Sequence, residues 1–135
     1  MRLTVSKRSD LAIRAVRYLD AHPGRIPGSE IAESVGTSVP FLSQVLTPLV
    51  AEHWIDSRTG PTGGYSLMDS GRAMTLLELV EAIEGPIIDG RCVLEDTECD
   101  GVDICALHTM WAAARSALMT ALGGVRVLAE AHSTV

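Results

Sequence analysis

Aromatic side chains are scarce in this chain, with two Trp, two Tyr and one Phe among 135 residues. The 47% that is hydrophobic is mostly Ala, Leu and Val, which suits a helical protein with a thin core completed by oligomerisation. Long apolar runs are also missing. None approaches the roughly 18 consecutive residues of a membrane span, and the opening MRLTVSKRSD has no signal-peptide apolar region. The expected location is therefore the cytoplasm, with no membrane partner. Positive charge is in short supply, 11 Lys and Arg against 17 Asp and Glu, and a net charge of −6 argues against holding nucleic acid by bulk charge alone. Cysteine is limited to three residues, an odd number that excludes a fully paired disulfide framework and points to metal ligands or redox thiols. No phosphate-cradling loop, helix-borne acid–base pair or nucleophile–histidine arrangement appears, so an enzyme is not expected.

The charge that is present is unevenly placed. Residues 1–25 carry six basic side chains (Arg2, Lys7, Arg8, Arg14, Arg17 and Arg25) against Asp10 and Asp20, whereas residues 59–135 carry four basic against eleven acidic. The N-terminal end is locally positive, and the mean charge misleads.

Hydrophobic spacing predicts a mainly α chain. Leu11, Ala12, Ala15, Val16, Tyr18 and Leu19 recur at helical intervals until His22-Pro23-Gly24 stops the run. In SEIAESVGTSVPFLSQ, Ile31, Ala32 and Val35 form a short apolar face and Gly36 follows where a helix ends in left-handed geometry. Thr37-Ser38 supplies a turn and an N-cap, and Pro40 is tolerated in a first turn. Leu42, Val45, Leu46 and Leu49 form the buried face of the next helix. Two short helices on a tight glycine turn make a helix-turn-helix rather than an ordinary helical hairpin. Pro48 is expected to end the second helix near Thr47, with Leu49 to His53 as a separate turn. Residues 54–58 and 65–67 read as two strands around the turn-rich TGPTGG, which converts the motif into a winged helix. Trp54 and Tyr65 read as hairpin core. Thr75 with Glu78 forms a capping box opening a helix whose face is Leu76, Leu79, Val80 and Ile83, with Glu78, Glu81 and Glu84 as its solvated side. In ICALHTMWAAARSALMTAL, Leu107, Trp111, Ala114, Leu118 and Leu122 make a stripe on a long helix, and its small residues permit close approach of a two-fold partner. Residues 125–131 read as one last short helix.

Between Gly85-Pro86 and that long helix lies an acidic stretch without periodicity that holds Cys92, Cys99 and Cys105, with His108 close behind. Structural zinc sites usually begin with ligand pairs two to four residues apart. The wider spacing here suits an iron–sulfur cluster held by thiolates with one other ligand. Zinc and unmetallated redox thiols remain as alternatives. His108, one turn beyond Cys105, is a candidate fourth ligand.

The chain resembles the small bacterial winged-helix iron–sulfur regulators that include IscR, NsrR and RirA. The resemblance rests on MRLT with SDLAIRAVRYL, on IAESVGTSVPFLSQVL, GPTGGYSL and LLELVEAIEGP, and on the three-cysteine loop ending CALHTMW. It implies a homodimer with crossed long helices and a cluster loop beside the DNA-binding domain. It also implies that Cys92, Cys99 and Cys105 hold the cluster. His108 then matches the histidine of two-iron members, and Asp10 matches the carboxylate that reaches a four-iron cluster across the dimer. Two departures stand out. Thr59 sits where relatives carry the wing arginine, with Arg58 one residue earlier, and Ser43 and Pro48 replace charged residues of the recognition helix.

The expected organisation is a winged-helix DNA-binding domain (1–86), a cysteine-rich cluster loop (87–106), and a dimerisation helix with its tail (104–135). The expected function is a dimeric transcriptional regulator, a repressor, that binds a double-stranded operator and senses iron, redox state or nitric oxide. Ser38, Pro40, Ser43, Gln44 and Thr47 would face the major groove, and Arg2, Lys7, Arg8, Arg58 and Thr59 the phosphates or minor groove. The rival readings are a zinc or bare-thiol switch on the same DNA-binding frame, and a winged-helix module that binds protein instead of DNA.

Overall fold

A computed structural model describes residues 2–87 and 107–128 of the chain. The element order is α1 (Lys7–Ala21), α2 (Gly28–Val35), α3 (Val39–Ala51), β1 (Ile55–Arg58), β2 (Gly64–Leu67), a 3-10 turn (Asp69–Ala73), α4 (Leu76–Glu84) and α5 (His108–Gly123). The Ser6 hydroxyl opens α1 by accepting from the Ser9 amide at 3.2 Å, so the helix starts at Lys7, ahead of its apolar face, which begins at Leu11.

The helix-turn-helix forms as its spacing requires. α2 ends at Gly36, whose φ of 76° a side chain would resist, while the Thr37 amide closes back on Ala32 O at 2.9 Å. Ser38 then caps α3 by accepting from the Phe41 amide, and the two helices meet at 102°. Leu42, Val45, Leu46 and Leu49 are all buried, together with Ile31, Ala32 and Val35 of α2 and Leu11, Val16 and Leu19 of α1. One core joins these helices with Ile55, Met74 and Leu79.

Pro48 does not end the recognition helix. α3 runs on to Ala51, with the Glu52 amide donating to Pro48 O at 3.1 Å. The acceptor deprived of its partner is the carbonyl of Gln44, an exposed residue, and solvent-side carbonyls can tilt toward water at little cost. The helix stops instead at His53, the only non-glycine residue with positive φ (61°) among those described. The Trp54 amide reaches Leu49 O and the His53 amide reaches Val50 O, a Schellman ending with the wrong residue at its left-handed position. Left-handed geometry costs a non-glycine residue roughly 1–2 kcal/mol. His53→Gly is therefore expected to stabilise the protein by about 1 kcal/mol, read as a higher urea midpoint with an unchanged slope.

β1 and β2 pair antiparallel with Ile55 opposite Leu67 and Arg58 opposite Gly64. Tyr65 also exchanges two backbone hydrogen bonds of 2.8 Å with Ile26, which ties the hairpin to the α1–α2 connection. A β-carbon on Gly64 would lie 2.2 Å from Ile26 O, so this close approach requires glycine. Trp54 and Tyr65 are half-buried against the core, as hairpin packing predicts.

Thr75 caps α4 by accepting from the Glu78 amide. Leu79 and Val80 are buried beneath it, with Leu76 and Ile83 packed alongside. α5 lies against α4, yet none of its side chains is buried. The residues after it do not form the expected short helix, as far as residue 128. They make a strap. The Leu76 amide donates to Val125 O, the Val127 amide donates to Met74 O, and the Val127 side chain is fully buried. The reason is the N-terminal edge of α4, whose free backbone groups give the tail a better partner than its own next turn.

Candidate nucleic-acid interface and sensor loop

At 100° per residue, Val39, Pro40, Ser43, Gln44 and Thr47 fall within an arc of about 140° opposite the buried face of α3. All five are exposed. Ser38 is exposed too, with its oxygen committed to capping. The Thr47 hydroxyl donates to Ser43 O at 2.7 Å, so its one proton is committed inside the helix. Gln44 has no partner for its amide among the described residues.

The structure also sorts the basic side chains, which the sequence alone does not do. Arg14 donates to Val35 O at 3.0 Å, capping the carbonyl end of α2, and pairs with Asp10 at 3.1 Å. Arg17 donates to Val127 O at 3.1 Å and holds the strap. Arg25 binds Asp56 at 2.5 Å and Gly64 O at 3.2 Å at the base of the wing. These three serve the fold. Lys7 and Arg8, both exposed at the start of α1, have no side-chain partner among the described residues, which leaves them available to phosphate. Arg2 lies elsewhere, lining a groove beside α5.

Arg58 ends β1 with its side chain exposed, 3.6 Å from Asp56. Asp56 is already held by Arg25, so Arg58 is only loosely attached and keeps most of its freedom. It shares a strand face with Asp56, whereas exposed Thr59 lies just past the strand. The departure noted at this position thus places the cation on the last residue of the strand instead of just past it.

Cys92, Cys99 and Cys105 lie outside the described residues, and among the described residues no three His, Cys, Asp or Glu side chains gather into a metal site. The two candidate fourth ligands can be placed. His108 is the first residue of α5, half-buried, with no side-chain partner among the described residues. Asp10 sits in the first turn of α1, exposed and paired with Arg14 at i,i+4 spacing.

One acidic residue has a role that its pattern hides. Glu84 accepts from the Ser6 amide at 3.1 Å and from the Ser9 hydroxyl, tying the last turn of α4 to the start of α1. Burial, the largest influence on it, opposes its charge, but the hydrogen bonds from Ser9 and Ser6 outweigh that and hold its carboxyl below the ordinary glutamate range. Glu81 is likewise engaged, accepting from the Ile87 amide at 3.0 Å. Of the three residues expected to be a solvated face, Glu78 and Glu84 are exposed, Glu84 while also tying two helices together, and Glu81 is half-buried. The available signal was Ser9, a polar residue at the head of the apolar stripe of α1 and fully buried there.

The N-terminal arm, α4 and α5 enclose a groove of about 700 Å³ lined by Leu3, Val5, Val80, Trp111, Leu118 and Leu122, with Arg2, Glu84 and Arg115 on its walls. Leu3 and Leu118, which line it, are 82% and 46% exposed.

The chain is 29% identical to the HTH-type transcriptional regulator IscR of Xenorhabdus nematophila over 126 residues, 93% of this chain and 76% of that one. It is also 29% identical to the IscR of Escherichia coli over 82% of this chain and 68% of that one. Among solved structures, it matches CymR, the global cysteine regulator of B. subtilis, with a TM-score of 0.73 at 25% identity, over 99% of this chain and 100% of that one. T. potens IscR matches with a TM-score of 0.68 at 21% identity, over 93% and 83%, which bears on the fold. These relatives are transcriptional regulators and not enzymes. The family described as Rrf2, iron-dependent transcriptional regulator, matches residues 5–129, and the chain belongs to that family of winged-helix DNA-binding regulators.

Proposed function

We propose that the protein is a dimeric, cytoplasmic repressor that binds an operator through α3 and the wing and senses its signal through the cysteine loop. The observation that carries the DNA-facing part is the division of α3 into a fully buried stripe and an exposed one, on a helix-turn-helix backed by a wing. The second helix of such a motif lies in the major groove, its first residues against the base edges. Ser38, Pro40, Ser43, Gln44 and Thr47 would face the bases. Lys7, Arg8, Arg58 and Thr59 would face phosphate or the minor groove. The position of Arg2 suits the dimer face better than the DNA. The groove beside α5 would be filled by the same face of a second copy, which also brings the half-sites about 34–36 Å apart.

Three thiolates and an imidazole are the donor chemistry of an iron–sulfur cluster, and of zinc as the alternative. Cys92, Cys99 and Cys105 would hold the group. The unengaged imidazole of His108 favours it as the fourth ligand over Asp10, whose carboxylate Arg14 already occupies. That pair is exposed and is worth only about 0.3–0.5 kcal/mol, so Asp10 remains releasable in a four-iron arrangement. When bound, a cluster would supply a group whose integrity depends on iron, oxidant or nitric oxide. His108, as the first residue of α5, would join it to the helix that sets the spacing of the two winged helices.

A second reading replaces the metal with bare thiols. The similarity to the global cysteine regulator of B. subtilis favours it. Anaerobic purification followed by an absorption spectrum and iron, sulfide and zinc analysis separates the two. Iron and sulfide in near-equal amounts, lost together in Cys92→Ala, are expected. Metal-free protein whose operator affinity changes on thiol oxidation would establish the second reading instead.

A further inference from the structure

We infer that the recognition helix reads A·T pairs, using Val39 against a thymine methyl and Gln44 against adenine, with no direct readout of guanine. The inference rests on the proposed DNA-binding role and specifies what that surface selects. α3 spans thirteen residues, VPFLSQVLTPLVA, without one charged side chain. The commonest specific contact in a major groove is Arg or Lys to the O6 and N7 acceptors of guanine, and nothing on this helix can make it. What the exposed face presents is a short inventory. Val39 and Pro40 stand in the first turn, where a recognition helix meets base edges, and both are apolar. Val39 is 47% exposed and is the one large apolar side chain that α3 leaves at the surface. An apolar side chain there matches the C5 methyl that only thymine carries into the major groove.

One turn further on, Gln44 projects a primary amide with no partner among the described residues, and it offers a donor and an acceptor side by side. That pair matches N7 and N6 of adenine. No neighbour carries a primary amide to match it. The Thr47 proton is committed to Ser43 O, and Ser38, whose oxygen accepts from the Phe41 amide, joins Ser43 in offering a hydroxyl that tolerates any base. With the cations Lys7, Arg8 and Arg58 placed outside α3, attraction to phosphate and selection of sequence are carried by different residues.

The test enriches duplexes from a randomised pool with the full-length protein purified anaerobically, then repeats the selection with Gln44→Ala and Val39→Ser. Both positions are exposed, so folding is expected to be unchanged, and circular dichroism checks it. Wild type is expected to enrich A·T pairs at the positions whose preference each variant alters. Gln44→Ala should lose about 5- to 150-fold in affinity for the enriched site and accept any base at one position. Replacing the contacted thymine by deoxyuridine should weaken wild type about fourfold, the effect of one methyl, and leave Val39→Ser indifferent. Invariant G·C pairs at the positions the variants alter, or variants with unaltered preferences, would overturn the inference and leave DNA binding standing. A pool without enrichment over salt-sensitive background would overturn both together.

Discussion

Leu118→Asp is expected to leave a folded protein that no longer dimerises. In the protomer this side chain is 46% exposed, and no residue of α5 is buried, so its replacement removes little that the single chain relies on. In the proposed dimer the same position becomes interior. Leaving one charge buried and unpaired costs about 3–5 kcal/mol, and an isologous interface incurs it twice. The dimer dissociation constant should therefore rise by about four orders of magnitude or more, converting kcal/mol at 1.4 per tenfold. Sedimentation equilibrium reads the mass directly, and far-ultraviolet circular dichroism confirms that the helices survive. Operator affinity should fall with the dimer, because each winged helix then binds a half-site alone. A variant that keeps the dimer mass would remove α5 from the interface altogether.

Leu42→Ala should instead damage the protomer. Leu42 is fully buried where α3 meets the other helices. Losing its methyl groups and leaving a cavity costs about 2–5 kcal/mol, a large share of the roughly 5–15 kcal/mol that holds a domain together. Urea unfolding at fixed protein concentration measures it. The control is the adjacent Ser43→Ala, exposed and outside the core, expected within about 0.5 kcal/mol of wild type. Equal losses at the two positions would mean that the faces of α3 are assigned wrongly.

The contrast between Leu42 and Ser43 is legible in the sequence, because burial on a helix follows its period. So are Gly36, where the turn requires a positive φ, and the capping residues Ser38 and Thr75. Pro48 was misread because sequence shows that a hydrogen bond is lost and not where the orphaned carbonyl points. The tail after Gly124 was misread because its partners, Met74 and Leu76, are about fifty residues distant in sequence. For the same reason the six basic residues of the N-terminal stretch looked alike. Arg14, Arg17 and Arg25 are distinguished from Lys7 and Arg8 only by carbonyls and carboxylates that folding brings to them. Glu84 belongs with these, since its serines lie at the opposite end of the domain's sequence. The ligand set Cys92, Cys99, Cys105 and His108 rests on residue chemistry and spacing, since residues 88–106 lie outside those described.

The strap at Val125–Val127 gives α5 the mechanics of a lever clamped at one end. Its backbone bonds to Met74 and Leu76, the buried Val127 side chain and the Arg17 hydrogen bond fix the C-terminal end of the helix to the body of the winged helix. A helix of sixteen residues is about 24 Å long, so a small tilt about that clamp displaces the His108 end by far more than the Gly123 end. The linkage also works in reverse. Under the proposed function, grip on DNA that shifts α1 or α4 would reach the helix through its clamp, and operator occupancy and sensor state would then influence each other equally.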